Sequence, residues 1–139
     1  MFVGEYYHTM DAKGRIFMPA KMRDDLSEVF YIVRGVDKCI TIYTDSEWQK
    51  IADKCETNGS VKTRRSSRSM FSSTENASLD SQGRVTISQK FQEYAGLSKE
   101  VVVIGNNTCI EIWNKEDWLA EVAAFDNEQY EKGLEELGV

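Results

Sequence analysis

The stretch Met10-Asp11-Ala12-Lys13-Gly14-Arg15-Ile16-Phe17-Met18-Pro19 decides the fold, because it returns as Leu79-Asp80-Ser81-Gln82-Gly83-Arg84-Val85-Thr86-Ile87-Ser88. Each copy reads apolar, Asp, two residues, Gly, Arg, then an apolar-rich run ending where a helix can start. A glycine between carboxylate and guanidinium tolerates positive φ, so each copy predicts a tight turn feeding a strand, with an arginine at the strand's mouth. The likeness continues: Val33-Arg34-Gly35, Cys39-Ile40-Thr41-Ile42-Tyr43 and Trp48 match Val103-Ile104-Gly105, Cys109-Ile110-Glu111-Ile112-Trp113 and Trp118. The turns repeat at an offset of 69 and the later strand and tryptophan at 70, so one residue is inserted between them. Two copies are too few for a solenoid, and the chain reads as a tandem duplication forming an internal pseudo-dimer.

A half of 139 residues would bury too little surface to stand alone, so the copies should share one core. With 41% hydrophobic and 29% charged residues, the chain is of the globular class. The longest aliphatic run is Val101-Val102-Val103-Ile104, short of a membrane span, and Met1-Phe2-Val3-Gly4 has no signal-peptide pattern; a cytoplasmic protein is expected. Cys39, Cys55 and Cys109 form no CxxC, and with His8 they are too few for a zinc site. The net charge of −6 sits in the tail: from Glu111 onward, nine acidic residues face two lysines, whereas residues 1–110 hold 15 basic against 14 acidic. Basic residues of the body cluster as Lys13, Arg15, Lys21, Arg23 and as Lys62, Arg64, Arg65, Arg68, and a local patch is what a phosphate backbone meets.

In chain order, residues 2–10 predict a strand, 11–14 a turn, 15–18 the return strand, and Pro19 the start of a helix over Ala20 to Ser27. Residues 30–34 and 39–43 form a hairpin. Thr44-x-x-Glu47 is a capping box for a helix burying Trp48, Ile51, Ala52 and Cys55, ended by Asn58-Gly59-Ser60. Residues 61–73 are rich in Ser and Arg, and helix or ordered linker stays open. In the second copy Phe71 matches Phe2 and opens a strand to Leu79. Ser88 can N-cap a helix over Gln89 to Ala95, closed by Gly96. A second hairpin turns at Asn106-Asn107-Thr108, Asn114-x-x-Asp117 repeats the cap, and a last helix spans roughly Lys115 to Leu137. Its apolar face carries Trp118, Val122 and Phe125. The units are 1–58, a basic segment 59–70, a second unit 71–118 and an acidic helix 119–139.

Nothing in the chain assembles a reaction. The only histidine, His8, stands in an aromatic strand, and no glycine-rich phosphate loop is present. No enzyme, cofactor, metal or small-molecule substrate is expected. Arg15 and Arg84, in contrast, can each make bidentate bonds to guanine O6 and N7 in a major groove. Lys13 and Gln82 can add a phosphate contact and an adaptable amide, and Gly14 and Gly83 let the backbone approach DNA where a Cβ would intrude. Asp11 and Asp80 orient the arginines, or form ion pairs that merely pin each turn; both can hold at once. Arg64, Arg65 and Arg68 form a secondary basic patch, for DNA or, more in keeping with an acidic tail, for salt bridges between subunits.

The residues Phe2-Val3-Gly4-Glu5-Tyr6, His8 to Arg15 and Pro19 resemble the N-terminal signature of the MraZ family, bacterial regulators of the division and cell-wall gene cluster. Tyr94-Ala95-Gly96-Leu97, Glu100 to Gly105 and Glu111-Ile112-Trp113 resemble its second half, so the likeness spans nearly the whole chain. It implies an α+β, β-rich fold of tandem SpoVT/AbrB-like swapped-hairpin units, forming an internal pseudo-dimer barrel with flanking helices. It further implies ring-shaped homo-oligomers, octamers or dodecamers, that bind repeated short boxes in double-stranded promoter DNA. The motif maps onto Asp11, Lys13, Gly14, Arg15 and onto Asp80, Gln82, Gly83, Arg84. Two departures stand out: Ser88 replaces a usual proline, and Arg64 to Phe71 carries serines where the family is more apolar. Two other readings remain, an antitoxin of the same fold and a ring-forming scaffold without DNA.

Overall fold

The structure, a computed structural model, describes residues 1–57 and 59–139. Asn58, expected to help end the first long helix, lies outside the described residues. The strands are β1 (Glu5–Thr9), β2 (Arg15–Phe17), β3 (Phe30–Arg34), β4 (Ile40–Thr44), β5 (Glu75–Ala77), β6 (Arg84–Thr86), β7 (Glu100–Asn106) and β8 (Cys109–Asn114). The helices are α1 (Ala20–Arg23), α2 (Asp45–Glu56), α3 (Val61–Ser73), α4 (Gln89–Ala95), α5 (Lys115–Ala124) and α6 (Asn127–Leu137). A six-stranded sheet runs β1-β7-β8-β4-β3-β5, and β2 pairs β6 in a separate two-stranded ribbon. All pairings are antiparallel.

The order reads the same from either end when the copies are exchanged. The first copy's β1 pairs the second copy's β7, and the second copy's β5 pairs the first copy's β3. At the seam, β4 meets β8 with Ile40 opposite Ile112 and Ile42 opposite Ile110, all four fully buried. Burying one such side chain contributes about 1.5–3 kcal/mol, so four contribute on the order of 6–12 kcal/mol, gross, at a boundary between copies. That is the scale of a whole domain's net stability, and the halves cannot part without unfolding. The fold is α+β and mostly antiparallel; among the described residues no closed sheet occurs and β1 and β5 are edges, so the expected barrel is not confirmed.

One sheet face packs against the β2–β6 ribbon with α1 and α4, through Ile16, Met18, Met22, Val85, Ile87 and Phe91. On the other face Trp48 of α2 stacks on Tyr31 and contacts Tyr43 and Phe71, and Trp118 of α5 packs on Trp113. Five expectations need correction. The helix after Pro19 ends at Arg23, not Ser27; Met22 is buried and Leu26, beyond the helix, packs only partly on the core. The capping box is half made: Thr44 accepts the Glu47 N–H, but the Glu47 carboxylate turns to Lys50. Only Trp48 of the α2 face is buried, with Ile51, Ala52 and Cys55 half-buried. The basic segment is a helix that runs on through Phe71 to Ser73, so the strand expected from Phe71 to Leu79 shrinks to β5. The last helix is two: Phe125 ends α5, Asp126 and Gln129 close a capping box on α6, and Val122 and Phe125 are exposed.

Candidate nucleic-acid interface

Each turn is built around one carboxylate. Asp11 Oδ1 accepts the N–H groups of Lys13 and Arg15, both at 2.9 Å, and Oδ2 accepts Arg15 Nε at 2.6 Å. Asp80 does the same for Gln82, Arg84 and Arg84 Nε, at 2.9, 2.9 and 2.7 Å. The backbone N–H of Arg15, and likewise that of Arg84, is the main cause that holds each carboxyl below the ordinary aspartate range. Both aspartates are therefore ionised at neutral pH, and each ties its arginine by one donor of five. Among the described residues neither arginine's Nη groups bond to protein.

The ribbon sets the arginines together. Ile16 opposite Val85 points inward and is buried, so Arg15, Phe17, Arg84 and Thr86 share the outward face. Arg15 pairs with Thr86 and Phe17 with Arg84, placing the guanidinium groups on one diagonal of a three-rung ribbon. The two ends are not alike. Arg84 lies over the Phe17 ring, 5.8 Å from its centroid, whereas Arg15 faces a threonine. The Arg84 side chain is accordingly less exposed, 18% against 29% for Arg15. Phe17 itself is 44% exposed, a large apolar group set between charges.

The copies interlock at the glycines. Met18 N–H donates to Gly83 O at 2.9 Å and Ile87 N–H to Gly14 O at 2.8 Å, so each turn is held by the other copy. Gly14 and Gly83 have φ of +76° and +79° and are buried. A Cβ at Gly14 would meet Gln92 and the Ile87 carbonyl, and one at Gly83 the Arg23 guanidinium. The space beside both glycines is filled by protein, so a packing need, not room for a duplex, excludes a side chain there. Arg23 Nε donates to Met18 O and Gln92 Nε2 to Ile87 O, at 2.9 and 2.8 Å, as equivalents at the offset of 69. That pair was readable in the sequence, and it adds Arg23 as a cation beside the second turn.

Ser88 stands at the N-cap of α4, but its side chain caps no N–H there; the hydroxyl donates to Glu75, which also pairs with Lys90. Lys13 and Gln82 are exposed on the turns. Arg64, Arg65 and Arg68 are exposed on α3, on a different element from the ribbon, and none forms an ion pair among the described residues. His8 is half-buried and its pKa is lowered by burial. No group of three or more His, Cys, Asp or Glu that could hold a metal occurs among the described residues, and no described helix is long and apolar enough to cross a membrane.

The family model described as "MraZ protein, putative antitoxin-like" matches twice, over residues 1–68 and 70–137, and the two matches meet inside α3. Together with the exchanged strands and the paired Asp–Arg turns, two matches covering almost the whole sequence establish that the chain belongs to the MraZ family.

Proposed function

We propose that this protein is a sequence-specific DNA-binding transcriptional regulator. It acts on the promoter of its own division and cell-wall gene cluster, binding repeated short boxes of double-stranded DNA as a ring-shaped homo-oligomer. The observation that carries the reading is the outward pair Arg15 and Arg84, each anchored among the described residues through Nε alone, with its other guanidinium donors unengaged there. A two-stranded ribbon fits a major groove, and an aspartate-held guanidinium arrives there with its orientation already fixed. Lys13 and Gln82 flank the pair for backbone contacts, with Gly14 and Gly83 holding the turn geometry. Weak sites repeated round a ring gain affinity on repeated boxes through effective concentration.

The test is a gel-shift series with the DNA upstream of the gene. Replacing Arg15 by alanine removes a bidentate contact of about 1–3 kcal/mol, a loss of roughly 5- to 150-fold per box. Oligomer mass should stay constant. If Arg15→Ala leaves affinity intact, or if wild-type protein at low salt shifts no DNA, the reading is wrong. The antitoxin-like reading takes its support from the family description; a toxin recovered in fixed stoichiometry would carry it.

A further inference from the structure

Helix α6 is fully formed yet packs substantially on no other element among the described residues. Its ends are specified on both sides: the Asp126–Gln129 capping box starts it, and Gly138 at φ +79° stops it. Eleven residues are too few to hold a helix in water by themselves, so such care over the ends implies a surface that covers it. Tyr130, Leu134 and Leu137 stand at i, i+4 and i+7 on one face, and Tyr130 and Leu137 are exposed. Glu131 and Glu135 follow the first two by one residue each and line the flank of that stripe.

The matching surface lies between α2 and α3. A groove of ≈ 330 Å³ there is lined by Cys55, Thr63, Ser66, Ser67 and Met70 together with the exposed Lys54 and Lys62. The two helices that flank it are joined by Phe71 of α3 packing on Trp48 of α2, ring centroids 5.0 Å apart. α3 carries Lys62, Arg64, Arg65 and Arg68 and no acidic residue, while α6 carries four glutamates and one lysine, itself paired to Glu128. An apolar stripe edged by carboxylates thus meets an apolar groove edged by ammonium groups.

We propose that α6 of one copy docks by its Tyr130–Leu134–Leu137 face into the α2–α3 groove of a neighbouring copy. The occupant is a second copy of this chain because the complementary partner surface is present in the same sequence. Plug and socket are different surfaces, so the contact is heterologous and propagates head to tail until it closes. This inference rests on the ring assembly proposed above and assigns its interface.

The experiment uses two full-length variants and their mixture, with mass read by light scattering after size exclusion over a range of concentrations. Leu134→Asp spoils the plug; Lys54→Glu with Lys62→Glu spoils the socket, at exposed positions that leave the fold alone. Each variant should fall to the mass of one chain, 15.9 kDa. Mixed, they retain one good plug and one good socket, and a species of twice that mass should appear. Adding Glu131→Lys and Glu135→Lys to the socket variant should restore the large assembly by exchanging the charges. Wild-type mass in both variants, or a mixture that stays at one chain, overturns this interface and leaves the ring itself standing. A wild-type chain monomeric at every concentration removes the ring and this interface together. The gel shift on a single box reports separately on DNA binding.

Discussion

Gly14 and Gly83 hold the same place in their turns, yet alanine should harm the first more than the second. At either position the left-handed backbone costs an L-residue about 1–2 kcal/mol. At Gly83 the three atoms nearest the new methyl all belong to the end of the Arg23 side chain, exposed and flexible. Swinging it away forfeits the Nε bond to Met18 O, a partly buried contact of about 0.5–1.5 kcal/mol. At Gly14 the methyl would stand 2.8 Å from the Ile87 carbonyl oxygen, which is backbone and cannot swing. Ile87 is held on both sides, by its N–H bond to Gly14 O and by the Gln92 amide on its carbonyl, both at 2.8 Å, and its side chain is buried in the core. Moving it weakens two hydrogen bonds of about 1 kcal/mol each and disturbs the packing of a buried isoleucine.

The expected losses are about 2 kcal/mol for Gly83→Ala and about 3–4 kcal/mol for Gly14→Ala. Urea unfolding at constant slope should separate the two midpoints by roughly 0.5–1.5 M, for slopes of about 1–3 kcal/mol per molar. Arg23→Ala added to Gly83→Ala should recover part of its loss, a coupling that Gln92→Ala cannot supply at Gly14 because the carbonyl remains. Equal midpoints for the two alanine variants, or a larger loss at Gly83, would refute the argument that the glycines answer to the other copy's backbone.

Phe17→Thr removes the ring beneath Arg84, an exposed cation–π contact of about 0.5–1 kcal/mol; the affinity losses of Arg15→Ala and Arg84→Ala in a gel shift should then become more alike. The carboxyls of Asp11 and Asp80 have folded pKa values below the ordinary one, so their stabilisation is complete above that value and is lost as pH falls through the folded values. Asp11→Asn with Asp80→Asn should therefore flatten the fall in unfolding midpoint below about pH 4. Burial raises the thiols of Cys39 and Cys109 to about 12 and about 11. The unfolded chain ionises first, so stability should drop as pH climbs above about 8.5, and both thiols should resist alkylation at pH 8 until urea is added. DNA affinity should fall nearly linearly in log[salt], with a slope that shrinks by about 1 when Lys13 is replaced by alanine.

What the sequence made legible was local. Each Asp-to-Arg turn lies within five residues, and a carboxylate facing its own downstream N–H groups needs no tertiary partner. Both hairpins were legible for the same reason. The exchange of β1 and β5 between copies was carried by the resemblance to swapped-hairpin units alone, because nothing in a strand's own residues names its distant neighbour. Matching Phe71 to Phe2 carried the duplication too far: Ser60 caps α3 by accepting the Thr63 N–H, and the helix then runs through Phe71. The break between α5 and α6 was written as Asp126-x-x-Gln129 but hidden inside an acidic run. The barrel, an inference from resemblance, is not confirmed, since among the described residues the three-residue β2 and β6 pair only with each other and no sheet closes.

Fusing the copies in one polypeptide has a consequence that two identical subunits could not reach. In a symmetric dimer, any change beside one arginine appears beside the other. Here the offset of 69 sets Lys13 against Gln82, Phe17 against Thr86, Pro19 against Ser88 and Arg23 against Gln92. The backbone bonds of the two turns remain nearly identical, with matching distances at every rung. Geometry is thus kept two-fold while the chemistry around it has diverged. An aromatic ring and Arg23 gather at the second turn, and Lys13 with a threonine-backed arginine at the first. A surface of that kind suits an unequal pair of half-sites. Under the proposed reading, exchanging Phe17 with Thr86 by double substitution should invert the preferred orientation of a single non-palindromic box, measured with end-labelled DNA footprints. A footprint unchanged by the exchange would mean that the difference between the turns plays no part in reading the duplex.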